Sequence, residues 1–323
     1  MADPLVSVVI LNWNGADHIH KCIESVLQQD YASVELIIVD NASSDGSYEA
    51  VRKNHPDLIY KKNDENLFFA KGMNSGLSLT TGRYVMPLNL DAYLPENYLT
   101  RAVRLMETEP TLGAIGGTEY KWEDGVLTDK RNETTGPVYM RRWVQFRSIR
   151  DHSPQYPLGI IGSFPLIRAE ALAECKAVTG YHYDPRYIHG WEDTDLWFRL
   201  HWLGWKIKYE PKLKAWHVKS ASVENKKRLL DKSQFHQRMI FRNRRFLIEK
   251  CLSEEVLSST RAARWMLASA FPLYLLIKNP RSVRSWYQAK NDVKAIAAEL
   301  KEERQKIREA QKVDGRYFLQ FLK

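Results

Sequence analysis

The 323-residue chain has only three cysteines, Cys22, Cys175 and Cys251. They are far apart, odd in number and without a CxxC pair, which excludes a disulfide framework and a cysteine-based zinc site. A reduced, cytoplasmic environment is therefore expected. There is no apolar run of bilayer length. The longest, Trp265–Ile277, has 13 residues and contains Pro272, whereas a span needs about 20. No signal peptide is visible, because Asp3 precedes the apolar stretch Leu5–Leu11 and Asn12-Trp13-Asn14-Gly15 ends it. Internal repeats and low-complexity segments are also missing. So is the glycine-rich fingerprint of dinucleotide enzymes, which sets a dehydrogenase aside. With 44% hydrophobic and 27% charged residues, the chain falls in the globular class.

Charge is unevenly spread. Residues 211–323 hold 26 Lys+Arg against 11 Asp+Glu, while residues 1–210 hold 22 against 28. An anionic partner is thus expected at the last third. Lys226-Lys227-Arg228 and Arg242, Arg244 and Arg245 carry no nucleic-acid recognition motif beside them, so no nucleic-acid partner is expected.

Val6–Leu11 reads as a buried strand and about Ala16–Gln29 as an amphipathic helix, with Ile19, Cys22, Ile23, Val26 and Leu27 on one face. Leu36–Val39 is a second strand, followed by a helix over Ser47–Asn54, a short strand at Leu58–Tyr60 and a helix near Phe69–Leu79. Arg83–Leu88 is another buried strand. Strands alternating with helices at this pitch predict an α/β fold with a doubly wound, mostly parallel sheet flanked by helices. The middle, Gly113–Leu172, is more β-like; Ala169–Lys176 and the stretch from Asp195 to Leu200 read as helix. Beyond about Ser220 the chain becomes helical and basic. The expected division is a catalytic domain over 1–220 and a helical extension over 221–323 that serves a membrane surface or oligomerisation.

Two carboxylate motifs carry the chemistry. Asn89-Leu90-Asp91 follows a buried strand, which places Asp91 at a carboxyl edge where α/β sheets bind ligands. Trp191-Glu192-Asp193-Thr194-Asp195 opens a helix. Each motif also has a plain structural reading, as a turn or a helix cap. Asp40, at the end of the second strand, is either an N-cap or an acceptor for the N3–H of uracil or thymine. His217 is either structural or a ligand. A metal at Asp91 would be oxygen-loving, Mg²⁺ or Mn²⁺, bridging phosphates. A carboxylate that takes a proton and another that holds a metal are the minimum for metal-assisted group transfer.

As an ordered set, these segments resemble family 2 glycosyltransferases of the GT-A fold, nearest the bacterial rhamnosyltransferase-like branch. The matching stretches are Val8–Gly15, Ile37–Ser47, Asn66 with Asn74, Leu88–Asp91, Gly162 with Ile167-Arg168, Gly180 with Asp184, Glu192–Leu200 and His217. The resemblance covers roughly residues 5–220. It implies an inverting transfer from a UDP- or dTDP-sugar to a lipid-linked or surface polysaccharide acceptor, with rhamnose or another deoxysugar as the donor sugar. By position, Asp40 resembles the base reader, Asn12 and Asn14 line the nucleotide pocket, and Asp91 resembles the last carboxylate of the metal-binding DXD motif. His217 resembles the histidine that completes the metal's coordination, and Asp193 the catalytic base with Glu192 beside it. Arg199 is read as a salt-bridge partner in preference to a phosphate ligand.

Two departures stand out. Asn89 occupies a position where a carboxylate is usual, which implies either weaker metal affinity or catalysis less dependent on metal. Leu67-Phe68-Phe69 stands where the family usually places a glycine. Alternatives are a transferase acting on a soluble or protein acceptor, and a catalytically silent nucleotide-binding scaffold. For Trp265–Ile277, flanked by Arg261, Arg264 and Lys278, two readings stand: an interfacial helix on an anionic membrane, or a helix packed on the catalytic domain. The charged stretch from Asp292 to Val313 reads as an exposed helix or a dimerising coil.

Overall fold

The computed structural model describes residues 3–123, 126–131, 136–141, 145–149, 153–218 and 228–323. Lys226, Lys227 and the expected boundary at 220/221 lie outside the described residues.

The first half alternates strands and helices. β1 (Val6–Asn12), β2 (Val34–Asp40), β3 (Ile59–Lys62) and β4 (Tyr84–Asn89) are joined by α1 (Ile19–Leu27), α2 (Ser47–Asn54) and α3 (Phe68–Leu77). Strands β1, β2 and β4 are nearly continuous apolar runs because helices cover both faces of a parallel sheet. After β5 (Ala92–Tyr93) and α4 (Tyr98–Thr108) come β6 (Leu112–Glu123), β7 (Val126–Arg131) and the hairpin β8 (Val138–Arg141) and β9 (Gln145–Ser148). Then follow β10 (Leu166–Arg168), α5 (Ala169–Thr179), α6 (Glu192–Trp202) and β11 (Lys206–His217).

The main sheet runs β3-β2-β1-β4-β10-β6-β11-β5, with β7 added to β6. Pairs β1–β2, β2–β3, β1–β4 and β6–β11 are parallel, and β10 is antiparallel to both neighbours. The β1 register pairs Asn12 with Asp40 and Leu11 with Asn89. Three of the expected site residues therefore end adjacent strands at one carboxyl edge, the place where open α/β sheets take ligands.

The apolar core divides across the sheet. One layer joins Val8, Ile10 and Leu88 to α1 and α4; the other joins Val9, Val39 and Ile167 to α3, α5 and α6. After a short 3₁₀ turn at Leu229–Asp231, the chain is helical: α7 (Gln234–Cys251), α8 (Glu254–Ser259), α9 (Arg261–Lys278), α10 (Pro280–Ala295) and α11 (Ala297–Glu309), closed by a 3₁₀ segment at Gly315–Phe321. Helix α7 packs on α10, α11 and α6. The carboxy-terminal segment Tyr317–Phe321 stacks aromatic rings on Phe198, His201 and Trp202 of α6. Helix α9 differs from α10, which buries Trp286, Ala289 and Val293. Only Leu275 is buried along α9, while Trp265, Leu273 and Ile277 are 70%, 63% and 80% exposed.

Candidate active site

At the corner where β4, β5, β6 and β11 meet, Asp91 Oδ1 lies 2.9 Å from His217 Nε2, and His217 Nδ1 lies 3.0 Å from Glu119 Oε2. Antiparallel pairing of β5 with β11, with His217 opposite Ala92, carries the histidine across 126 residues of sequence to Asp91. Ser163 Oγ stands 3.3 Å from His217 Nδ1. Burial alone would lower the His217 pKa, but two carboxylates hydrogen-bonded to one ring push it up to about 9, so the ring is an imidazolium at neutral pH. Burial would raise the Asp91 carboxyl; the His217 hydrogen bond outweighs this and holds it below its usual range.

Asp91 Oδ2 is buried and has no hydrogen-bond partner among the described residues. A buried, partnerless carboxylate oxygen is a donor that fits Mg²⁺ or Mn²⁺, and His217 would join it only as the neutral imidazole, after giving up its Nε2 proton. No group of three or more His, Cys, Asp or Glu side chains among the described residues makes a metal site. The fit is thus to an ion held partly by substrate phosphates, and not to an all-protein cage. Asn89 accounts for the difference: it contributes an amide where a second carboxylate would otherwise stand.

Beside Asp91 lies a cavity of about 750 Å³, lined by Asn14, Asn41, Asn66, Phe68, Asn89, Asp91, Ile188 and His189, among others. Four of the expected residues, Asn14, Asn66, Asn89 and Asp91, share this wall. Asn12 and Asp40 sit behind it. Both are buried: Asn12 Nδ2 donates to Asp40 Oδ1 at 3.0 Å and to Ser47 Oγ at 2.8 Å, and Ser43 N donates to Asp40 Oδ2 at 3.1 Å. Asn74 is further removed. Its side chain exchanges two hydrogen bonds with the Tyr183 backbone, at 2.7 and 2.9 Å, and pins α3 to the chain before α6.

Asn41 lies inside the matching stretch Ile37–Ser47 without an expected role of its own, yet it organises the cavity floor. Its amide donates to Asn66 Oδ1 at 2.9 Å and its Oδ1 accepts from Asn63 and from Leu67 N, tying β2 to the loop before α3. That loop ends at Phe68 with φ +58°, in the left-handed region that glycine normally occupies. Here the family's glycine has a physical explanation, and phenylalanine adopts its conformation under strain. Asn14, in the cavity wall, and Ala42, next to Asn41, have φ of +50° and +59°. Glu119 and Ser163 were likewise missed; nothing in a strand's alternation marks a buried acid as a histidine's partner.

The second carboxylate motif forms the first turn of α6. Trp191 precedes it with φ +79°, held by Asn243 of α7, whose side-chain amide donates to the carbonyls of His189 and Gly190 at 3.0 Å each. Asp193 Oδ1 accepts from Thr194 N at 2.6 Å. Its Oδ2 faces Gly162, where an added Cβ would come within 2.9 Å. Gly162 adjoins Ser163, whose carbonyl accepts from Asn89 N at 2.9 Å, so the Asp193 carboxylate and the Asp91–His217 corner flank one strip of chain.

Glu192 is partly exposed as a residue, but its Oε2 is inaccessible and without a hydrogen-bond partner. Burial and the neighbouring Asp193 charge push the Glu192 carboxyl up to about 8, and burial raises Asp193 as well. Two adjacent acids cannot both ionise cheaply, which keeps the proton on Glu192 at neutral pH.

Helix α6 is anchored from below by a buried ionic cluster. Lys250 Nζ of α7 is 2.5 Å from Asp184 Oδ2 and 2.6 Å from Asp195 Oδ1. Arg186 pairs with Asp184 and Glu303, and Arg199 with Asp195 at 2.8 Å. Arg199 is thus an internal ion-pair partner, as its sequence position suggested.

Residues 7–175 match the family model described as Glycosyl transferase family 2. The chain is 33% identical over 106 residues to the Escherichia coli UDP-Glc:alpha-D-GlcNAc-diphosphoundecaprenol beta-1,3-glucosyltransferase WfaP, covering 32% of this chain and 42% of that protein. It is 26% identical over 220 residues to the poly-beta-1,6-N-acetyl-D-glucosamine synthase of Staphylococcus epidermidis, covering 65% of this chain and 49% of that one. The chain therefore spans about half the length of these curated relatives. In three dimensions it resembles the mannosyltransferase PcManGT of Pyrobaculum calidifontis, solved in complex with GDP-Man and Mn²⁺. The TM-score is 0.56 at 17% identity, with 95% of this chain and 86% of that one covered. The fold is that of GT-A glycosyltransferases. With a family model spanning more than half of its residues and this edge-of-sheet site, the chain belongs to glycosyl transferase family 2.

Proposed function

We propose that this protein is an inverting glycosyltransferase that moves a sugar from a UDP- or dTDP-sugar to a lipid-linked or surface polysaccharide acceptor. The observation that carries the reading is a 750 Å³ cavity at the strand ends with Asp91 in its wall, and two carboxylate sites, Asp91–His217 and Glu192–Asp193, that flank the strip Gly162-Ser163 beside it.

The nucleotide occupies the cavity walled by Asn14, Asn41, Asn66 and Asn89, with Asn12 and Asp40 fixing the backbone behind it. Asp40, the expected base reader, acts on the base indirectly, by holding Asn12 and the Ser43 backbone behind this wall, and Asn74 holds the loop opposite. Asp91 and His217 would hold a divalent ion, Mg²⁺ or Mn²⁺, which neutralises charge on the departing diphosphate. With an ion bound, His217 would be the neutral imidazole, since an imidazolium has no lone pair to give; without one, the two carboxylates on its ring keep it positively charged. Asp193 removes the proton from the acceptor hydroxyl as the new bond forms, a step a sugar hydroxyl needs because it is a weak nucleophile. Its raised pKa makes it a stronger base than a solvent-exposed aspartate, and neutral Glu192 donates a hydrogen bond to donor or acceptor. Within the donor class we favour a deoxysugar such as rhamnose, on the branch resemblance of the motifs.

The lipid-linked acceptor is supported by the E. coli relative, whose name specifies a diphosphoundecaprenol acceptor. We further propose that the region 221–323 attaches the enzyme to an anionic membrane at its inner face. No helix among the described residues is long and apolar enough to cross a membrane. Helix α9 instead presents Trp265, Leu273 and Ile277 to solvent between Arg261 and Lys278, the pattern of an in-plane helix with basic flanks. A homo-oligomer built on the same face is the competing use of it.

Release of nucleoside diphosphate from a panel of UDP-, dTDP-, GDP- and CMP-sugars, with and without Mn²⁺ and a lipid-linked acceptor, tests the reaction. Turnover of one pyrimidine donor is expected; absence of both turnover and nucleotide binding would refute it. Flotation with anionic liposomes at low salt tests attachment, and failure to float removes it.

A further inference from the structure

Next to the donor cavity lies a second one, of about 730 Å³, formed between the loop before α3, the turn at 185–188 and helices α7 and α10. The two cavities share Asn66, Phe68 and Ile188 in their walls. Four cations line the second: Lys71, Arg186, Arg238 and Arg242, against two carboxylates, Glu65 and Asp292. Arg186 is satisfied by Asp184 and Glu303, and Arg238 makes a two-pronged pair with Asp292 at 2.5 and 2.7 Å.

Arg242 is different. Its Nη2 donates to Arg186 O at 2.6 Å and to Asn243 Oδ1 at 3.0 Å, and its Nε donates to the same Asn243 oxygen at 3.1 Å. No carboxylate among the described residues comes within ion-pair distance of it. The guanidinium lies over the Phe246 ring at 5.0 Å, half-buried, and burial lowers its pKa. An arginine that is desolvated, oriented by neutral acceptors and countered only from beyond ion-pair distance, by Asp292 and Asp184, is costly to maintain for folding alone. The same arrangement is pre-organised for an anionic ligand, since a fixed guanidinium matches phosphate geometry. Phe246 and Ile296 supply an apolar wall to the same cavity.

We propose that this second cavity is an anion site that takes the diphosphate of the acceptor, with Arg242 as its principal ligand and Lys71 at its rim. The site deepens the proposed transfer to a lipid-linked acceptor and rests on that reading. It places the acceptor's charged head beside the donor cavity, with Phe68 as the partition between the two. Charge and a partly apolar wall together suit a diphosphate that joins a sugar to a lipid.

The test is calorimetric titration of the full chain, first saturated with UDP or dTDP, using inorganic pyrophosphate in one arm and farnesyl diphosphate in the other. Both should bind at one site per chain, farnesyl diphosphate the more tightly. Arg242→Gln should weaken both by roughly tenfold or more, and Arg242→Lys, which keeps the charge, by much less. Lys71 is exposed, so Lys71→Gln tests the site without risk to the fold and should weaken both by about two- to fivefold. Pyrophosphate binding unchanged in Arg242→Gln and Lys71→Gln, or absent from the nucleotide-saturated wild type, would overturn the site. Equal affinity for the two probes would overturn its assignment to a lipid-linked acceptor and leave free phosphate as the ligand. Nucleotide affinity should be unaltered in both variants. Failure of the wild type to bind UDP or dTDP at all is a separate result, and counts against the glycosyltransferase reading instead.

Discussion

Replacing Lys250 by methionine removes one charge from a buried cluster of six. Asp184, Asp195 and Glu303 face Arg186, Arg199 and Lys250, and the three negative and three positive groups sum to zero. Lys250 is fully buried, with Tyr181 Oη as a further partner at 3.1 Å. At 2.5 and 2.6 Å, each carboxylate contact is worth about 6 kcal/mol with an effective dielectric constant of about 20. Desolvation of the ammonium offsets most of this, and removal of one partner from such a pair costs about 3–5 kcal/mol. Against a total stability of about 5–15 kcal/mol, that loss is large. Burial alone would lower the Lys250 pKa, but Asp195 and Asp184 raise it well above the usual lysine value. A raised lysine stabilises the fold fully below its unfolded pKa of about 10.4, and this contribution is lost only as pH rises through the folded value. At pH 7 the whole effect should therefore be visible.

Urea denaturation at pH 7 is the assay. Lys250→Met should lower the midpoint with an unchanged slope, and Asp184→Asn in the same chain should recover part of the loss by restoring neutrality. Because the cluster holds the underside of α6, turnover should fall as Asp193 loosens, while affinity for nucleotide, held by β1, β2 and β4, should not. A loss below about 1 kcal/mol would show that the cluster tolerates an uncompensated carboxylate, and the reasoning would fail.

Asp193→Asn should reduce kcat by roughly 10²–10⁴ with nucleotide affinity retained, as measured by nucleoside diphosphate release and calorimetry; a silent scaffold would have no turnover to lose. Asp91→Asn should abolish stimulation by Mn²⁺ in the same release assay. Phe68→Gly should raise stability by up to about 1 kcal/mol in urea, since the strain of φ +58° offsets the added chain entropy of glycine; a loss above that would mean the ring's contacts outweigh the strain. Glu192, raised to about 8, binds its proton more tightly folded than unfolded, so stability should decline as pH rises from about 4.3 to 8. Glu192→Gln should flatten that decline, read as a smaller Tm difference between pH 6 and pH 9.

Much of this was legible in the chain itself. Apolar runs closed by Asn12, Asp40 and Asn89 marked three parallel strands and put all three residues at one edge, because a strand's direction fixes which end its last residue occupies. The helix over Ser47–Asn54 was readable to the residue, and the one after β1 only approximately, since the turn at Asn14–His18 delays it to Ile19. Asp91, Asp193 and His217 were each ambiguous alone, and only their order along the chain, taken as a set, carried the resemblance.

What remained hidden was whatever depends on residues far apart in sequence. Glu119 and His217 meet because β6 and β11 pair in parallel. Lys250 reaches Asp184 and Asp195 only because α7 packs beneath α6, and composition had shown that helix merely as basic. The same holds for α9, where a sequence of 13 apolar residues fits core and surface equally; tertiary packing leaves it exposed. Periodicity and capping are local properties of a chain, so sequence determined the strands, most helices and the edge that carries the site. Burial, charge pairing and the pKa of Glu192 are properties of what surrounds a residue, and only the tertiary structure brings those surroundings together.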